Sequence, residues 1–192
     1  MINISEEVTV LQPGDNFFDS PGSLKIYLSG CMSAMQGDTF DWQSKFIEGV
    51  NSLVSVSSPQ ALLQFKGRRF IICNPRANVS NPQRSMENQE FLSAQNWKMD
   101  AIEYCDGVLF NFLKKSTDIL PMAEFGYLLR TGKMVVRCPS AYAHSAIVNY
   151  YCQRFNIPLL PEGRAGDVLS VLQTMFSYIP GFQQIPGLQL PE

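Results

Sequence analysis

Apolar residues along this chain fall into short dense runs separated by longer amphipathic stretches. "LKIYLSG" (24–30), "RRFIICNP" (68–75), the run over 106–112, "GKMVVRC" (132–138, the strand itself over 133–138) and "IPLL" (157–160) have the length and apolar density of buried strands. Between them, Trp42, Phe46, Val50 and Leu53 recur at helical spacing and predict a helix over 41–54. Further helices are predicted over 90–105, about 119–130, around 143–155 and over 166–179. Strands alternating with helices predict an open parallel sheet of about five strands with helices on both faces. Right-handed crossovers then bring the strand ends to one edge. That edge gathers residues 27–30, 74–76, the segment 112–124 and the segment 138–144.

The pattern also divides the chain. Residues 1–22 read as an irregular N-terminal arm, with "QPGDN" and "SPGS" as turn signals. Residues 23–180 read as one α/β domain and residues 181–192 as an extended proline-rich tail. With 192 residues, one full core is expected. The polar segment 76–89 is long for a loop in a compact domain, and such loops are often functional.

Composition narrows the function classes. A net charge of −2 gives no general attraction to nucleic acid or to an anionic membrane. No apolar run has transmembrane length, and "MINISEEVTV" lacks the regions of a signal peptide, so a cytoplasmic protein is expected. The five cysteines form no CxxC pair and lie in or beside apolar runs, which fits buried free thiols in a reducing compartment. The single histidine, His144, argues against a His-based metal site or a catalytic triad. No metal and no cofactor are expected. "GCMSAMQG" lacks the GxGxxG spacing and the Walker lysine, and no GxSxG elbow occurs.

What remains is a set of carboxylates: Asp100, Asp106, Asp118 and Glu124. Glu124 falls near the start of the helix that follows the third apolar run, close to the predicted ligand edge. A carboxylate there is favoured by the positive helix end, and an ionised, positioned carboxylate is what attack on a sugar carbon needs. A second acid, Asp100 or Asp118, would protonate the departing group. The plainer readings stand beside these. Glu124 there equally serves the helix dipole, Asp118 is a good N-cap, Asp106 opens a strand, and Asp100 sits mid-helix on a solvated face. Tyr27 suits a core, and Asn74 and Arg76 flank a proline at a strand end, as turn residues do.

Taken together, "IYLSG" (26–30), "DWQ" (41–43), "CNPR" (73–76), "QNWKMDAIEYCDGVLFNF" (95–112) and "AEFGYLLRTGKMVVRCP" (123–139) resemble the nucleoside 2-deoxyribosyltransferase family, and its deoxyribosyltransferase-like branch most. The resemblance covers roughly residues 24 to 160. It implies a flavodoxin-like sheet and cleavage of an N-glycosidic bond through a glycosyl-enzyme intermediate. It assigns the nucleophile to Glu124, a place near the sugar to Asp118 and proton delivery to Asp100. Tyr27 matches the tyrosine that contacts the nucleophile, and Gly30 the glycine beside which substrate approaches. Trp42, Asn74 and Arg76 match the branch's DW and NPR positions. The chain departs from the pattern at Lys98, commonly Glu, and at Ala146–Ile147, where a Gly-Asn pair is expected; Asn149 lies close by. The resemblance also implies a homo-oligomer with sites completed across subunits. Two alternatives stay open: a nucleoside monophosphate hydrolase, with serines such as Ser29, Ser33 or Ser116 around the phosphate, and a non-catalytic nucleotide sensor.

Overall fold

The computed structural model describes residues 7–32, 41–55, 65, 68–76, 85–114, 116, 119–160 and 167–183. Six strands appear among them: β1 (Val8–Leu11), β2 (Leu24–Gly30), β3 (Phe70–Cys73), β4 (Gly107–Asn111), β5 (Met134–Arg137) and β6 (Leu159–Leu160). The helices are α1 (Trp42–Ser55), α2 (Gln89–Tyr104), α3 (Leu120–Leu128), α4 (Ser145–Arg154), α5 (Val168–Tyr178) and the short α6 (Pro180–Gln183). The strands form one sheet in the order β1-β3-β2-β4-β5-β6, and every pairing is parallel. This is an α/β arrangement of the flavodoxin-like kind. The connection order reverses between the neighbouring strands β2 and β4, and open α/β sheets hold ligands beyond the strand ends at such a reversal.

The near-continuous burial of β3 and β4 follows from their having helices on both faces. Phe110 on β4 packs edge-on against Phe125 of α3, and Phe112 packs against both Phe125 and Tyr142. On the opposite face α1 meets α5, with Gly49 of α1 directly under Val168 of α5.

The arm departs from its expected irregularity. Val8–Leu11 pairs with β3 and adds a sixth strand at the sheet edge. Four residues carry too little local signal to be read as a strand; pairing with a distant partner supplies the stability. The arm then crosses α2. The Trp97 indole donates to the Asp15 carbonyl, the Tyr104 hydroxyl donates to the Phe18 carbonyl, and Phe17 lies between the two rings. The tail expected to be extended over 181–192 departs from that at its start, where residues 181–183 belong to the short helix α6; its remainder lies outside the described residues.

Candidate functional site

Alternation along β2 puts Tyr27 and Ser29 on one face, and the register with β4 pairs Ser29 with Phe110, whose ring faces α3. Tyr27 therefore points toward α3. Its hydroxyl donates to Glu124 Oε1 at 3.1 Å, joining residues far apart in sequence. Burial pushes the Tyr27 phenol well above its ordinary 10, and the neighbouring Glu124 carboxylate pushes it further. The phenol stays protonated and acts only as a donor toward Glu124.

Glu124 is part-buried and is the fifth residue of α3. The first turn of that helix holds no acid, its N-cap is Ile119 with no side-chain cap bond, and Pro121 occupies the opening turn. The expected help from the helix end is therefore not what positions Glu124; the Tyr27 hydroxyl is. The N-cap role expected of Asp118 falls to Ile119, and Asp118 itself lies outside the described residues, as does Ser33.

One step toward the strand end, the Ser29 hydroxyl is buried and makes no hydrogen bond. Such an orphan is uncommon in a well-formed interior. Gly30 follows with φ of 115°, a conformation that favours glycine, and a Cβ there would collide with the Asn111 backbone. The lack of a side chain lets β2 and β4 close together at the reversal point, where the Cys31 amide donates to the Asn111 carbonyl.

Trp42, Asn74 and Arg76 gather on the other side of this strand end. The Trp42 indole donates to the Cys31 carbonyl at 2.7 Å. Asn74 is buried, its amide donates to the Leu11 carbonyl, and its Oδ1 accepts from the Arg76 amide. The Arg76 guanidinium pairs with Asp41 at 3.1 Å and donates to the Met32 carbonyl. Two members of this cluster stood in the quoted DWQ motif (41–43) without a role of their own. Asp41 also accepts from the Ser44 amide and hydroxyl at the start of α1. Gln43 is fully buried, donates to Met32 Sδ, and keeps an unpartnered Oε1. A polar residue three and four positions before Phe46 and Ile47, on the apolar stripe of α1, was the available signal.

Asp100 stands apart. It is exposed, and it is the twelfth residue of α2, a helix that starts at the ligand edge and runs away from it, about 16 Å along the axis. Asp106 accepts from the Lys25 amide at the opposite edge. Asn149 lies on α4 with a buried, unpartnered Oδ1. A cleft of about 530 Å³ also opens at that opposite edge, between Leu128, Met134, Phe155, Ile157 and Tyr178. No acid lines it, so it offers nothing for the chemistry of the carboxylates. All five cysteines are free thiols, four of them buried. No helix among the described residues is long and apolar enough to cross a membrane.

Residues 23–142, more than half of the chain, match the profile of a family described as nucleoside 2-deoxyribosyltransferase-like. No curated protein matches the chain.

Proposed function

The chain belongs to the nucleoside 2-deoxyribosyltransferase-like family, and from that premise we propose that it cleaves or transfers the N-glycosidic bond of a nucleoside or nucleotide. The observation that carries this reading is the Tyr27–Glu124 hydrogen bond beside the β2/β4 reversal point. Glu124 attacks C1′ of the sugar, the C1′–N bond breaks, and its electron pair leaves with the base. An acid protonates that base. Water or a second base then attacks C1′ and releases Glu124. Charge develops as oxocarbenium character at C1′, which a nearby carboxylate stabilises before and during bond formation. Tyr27 holds one carboxylate oxygen and leaves the other to the sugar.

Asp118 is the better placed of the two acids in sequence, on the segment between β4 and α3, whereas Asp100 is exposed on the distant half of α2. Ser29 and Gly30 meet the substrate at the strand end, with the orphaned Ser29 hydroxyl supporting that role. Trp42, Asn74 and Asn149 complete the proposed binding set, with Arg76 beside Asn74 at the edge of the site. The enzyme works as a homo-oligomer in the cytoplasm, on a small molecule, without nucleic acid or membrane. Exposed Ile147, Tyr150 and Tyr151 on α4 support the assembly. A monophosphate hydrolase differs only in using water and in reading a phosphate.

The test is incubation with a panel of nucleosides, 5′-monophosphates and NAD, with and without an acceptor base, followed by chromatography for free base. Release of base, or its exchange, is expected. A protein that binds a nucleotide without releasing base would be the sensor instead.

A further inference from the structure

The Arg76 guanidinium touches two residues that flank the end of β2 and the start of α1. It pairs with Asp41 and donates to the Met32 carbonyl. Asp41 has further partners: it accepts from the Ser44 amide and hydroxyl as well. The same junction is tied by Trp42 to the Cys31 carbonyl and by Gln43 to Met32 Sδ. On its other side Arg76 is anchored through its amide to buried Asn74, which is held in turn by β1. A guanidinium so placed has its charge met by a carboxylate 3.1 Å away, and an incoming phosphate dianion would face that carboxylate as well.

Resting on the function proposed above, we propose that Arg76 is a positioning residue: with Asp41 and the Met32 carbonyl it fixes the β2 end beside Glu124, and it does not read a substrate phosphate. Its effect reaches the reaction through the backbone at 30–32, where Gly30 closes against Asn111. The contribution then depends on the pair and is indifferent to the substrate's phosphate.

The experiment compares wild type with Arg76→Ala, Asp41→Asn, the double variant and Arg76→Lys. The substrates are one nucleoside and its 5′-monophosphate. A Trp97→Phe background leaves Trp42 as the single indole of the chain, and its acrylamide quenching reports the junction without any need for turnover. Arg76→Ala is expected to lower kcat/KM by about tenfold on both substrates alike, as loss of one charged hydrogen bond would. The fall should lie in kcat more than in KM. Asp41→Asn should do the same, the double variant should be no worse than Arg76→Ala, and quenching of Trp42 should rise in each. Arg76→Lys keeps the charge but cannot reach both partners in one plane, so it should rescue only in part. A loss confined to the monophosphate would overturn the proposal in favour of phosphate reading. Additive losses with unchanged Trp42 quenching would overturn it too. If wild type releases no base from any substrate, the functional reading fails, and Trp42 quenching together with coupling in denaturant stability still decides for or against the clamp.

Discussion

At the scale of single residues, the Tyr27–Glu124 contact separates a chemical role from a structural one. Glu124 is part-buried and held by one side-chain bond, so Glu124→Gln should lower base release by about a thousandfold or more while the melting temperature moves little. Wild-type turnover in this variant would remove the nucleophile, and a large loss of stability would make the residue structural. Tyr27→Phe deletes a donor to a charged acceptor, worth about 1.5–3 kcal/mol, so a fall of about 10- to 100-fold in kcat is expected. The proton donor is tested by leaving-group dependence. Asp118→Asn should hurt poor leaving bases most and partly spare an activated nitrophenyl glycoside, whereas exposed Asp100→Asn should change either by less than about tenfold. The reverse ranking would return the role to Asp100. The places of Tyr27 and Gly30 on β2 and of Glu124 early in α3 were legible in the sequence, because strand and helix positions follow from pattern; the roles proposed for them come from the family resemblance. The hydrogen bond that holds Glu124 does not follow from pattern, since it comes from a residue 97 positions away; the family resemblance alone implied it.

Among the elements, the strands β2 to β6 and the helices α1 to α5 stand close to where apolar periodicity puts them, because each buries a face in one core. The cap of α3 falls on Ile119, which makes no side-chain bond, so the good capping residue one position earlier, Asp118, was a false start signal by one residue. β1 was missed because an edge strand of four residues gains its energy from β3 rather than from its own sequence. Interlocking of α1 and α5 was equally invisible, since only the structure sets Gly49 beneath Val168. It yields a prediction. Gly49→Ala pushes a methyl group into Val168 and should destabilise by about 1–3 kcal/mol in chemical denaturation despite alanine's better helix propensity. Val168→Ala in the same chain should recover part of that loss. Additive effects would mean that the helices slide apart instead.

For the whole molecule, the exposed residues Tyr127 of α3 and Ile147, Tyr150 and Tyr151 of α4 are large apolar groups left at the surface. Light scattering should find at least a dimer, and Tyr150→Glu should shift it toward monomer with loss of activity; a fully active monomer at all concentrations would end the shared-site idea. Alkaline stability is the other global property. Burial raises Tyr27 well above 10, Cys105 well above 9.0, and Cys152 to about 11. The unfolded chain then loses these protons before the folded one, so stability is complete below pH 9 and falls as pH rises through about 11. Denaturant titrations at pH 8 to 11 should show the fall, and Cys152→Ala should flatten it. The all-parallel sheet has one more consequence, in the time domain. Val8 pairs with Phe70, about sixty residues later, and among the described residues no strand pairs with its immediate successor through a hairpin. Such non-local closure slows folding. During synthesis β1 leaves the ribosome before β2 and β3 and stays unpaired until β3 follows, so the anchor of Asn74 and Arg76 is made well before it finds its place.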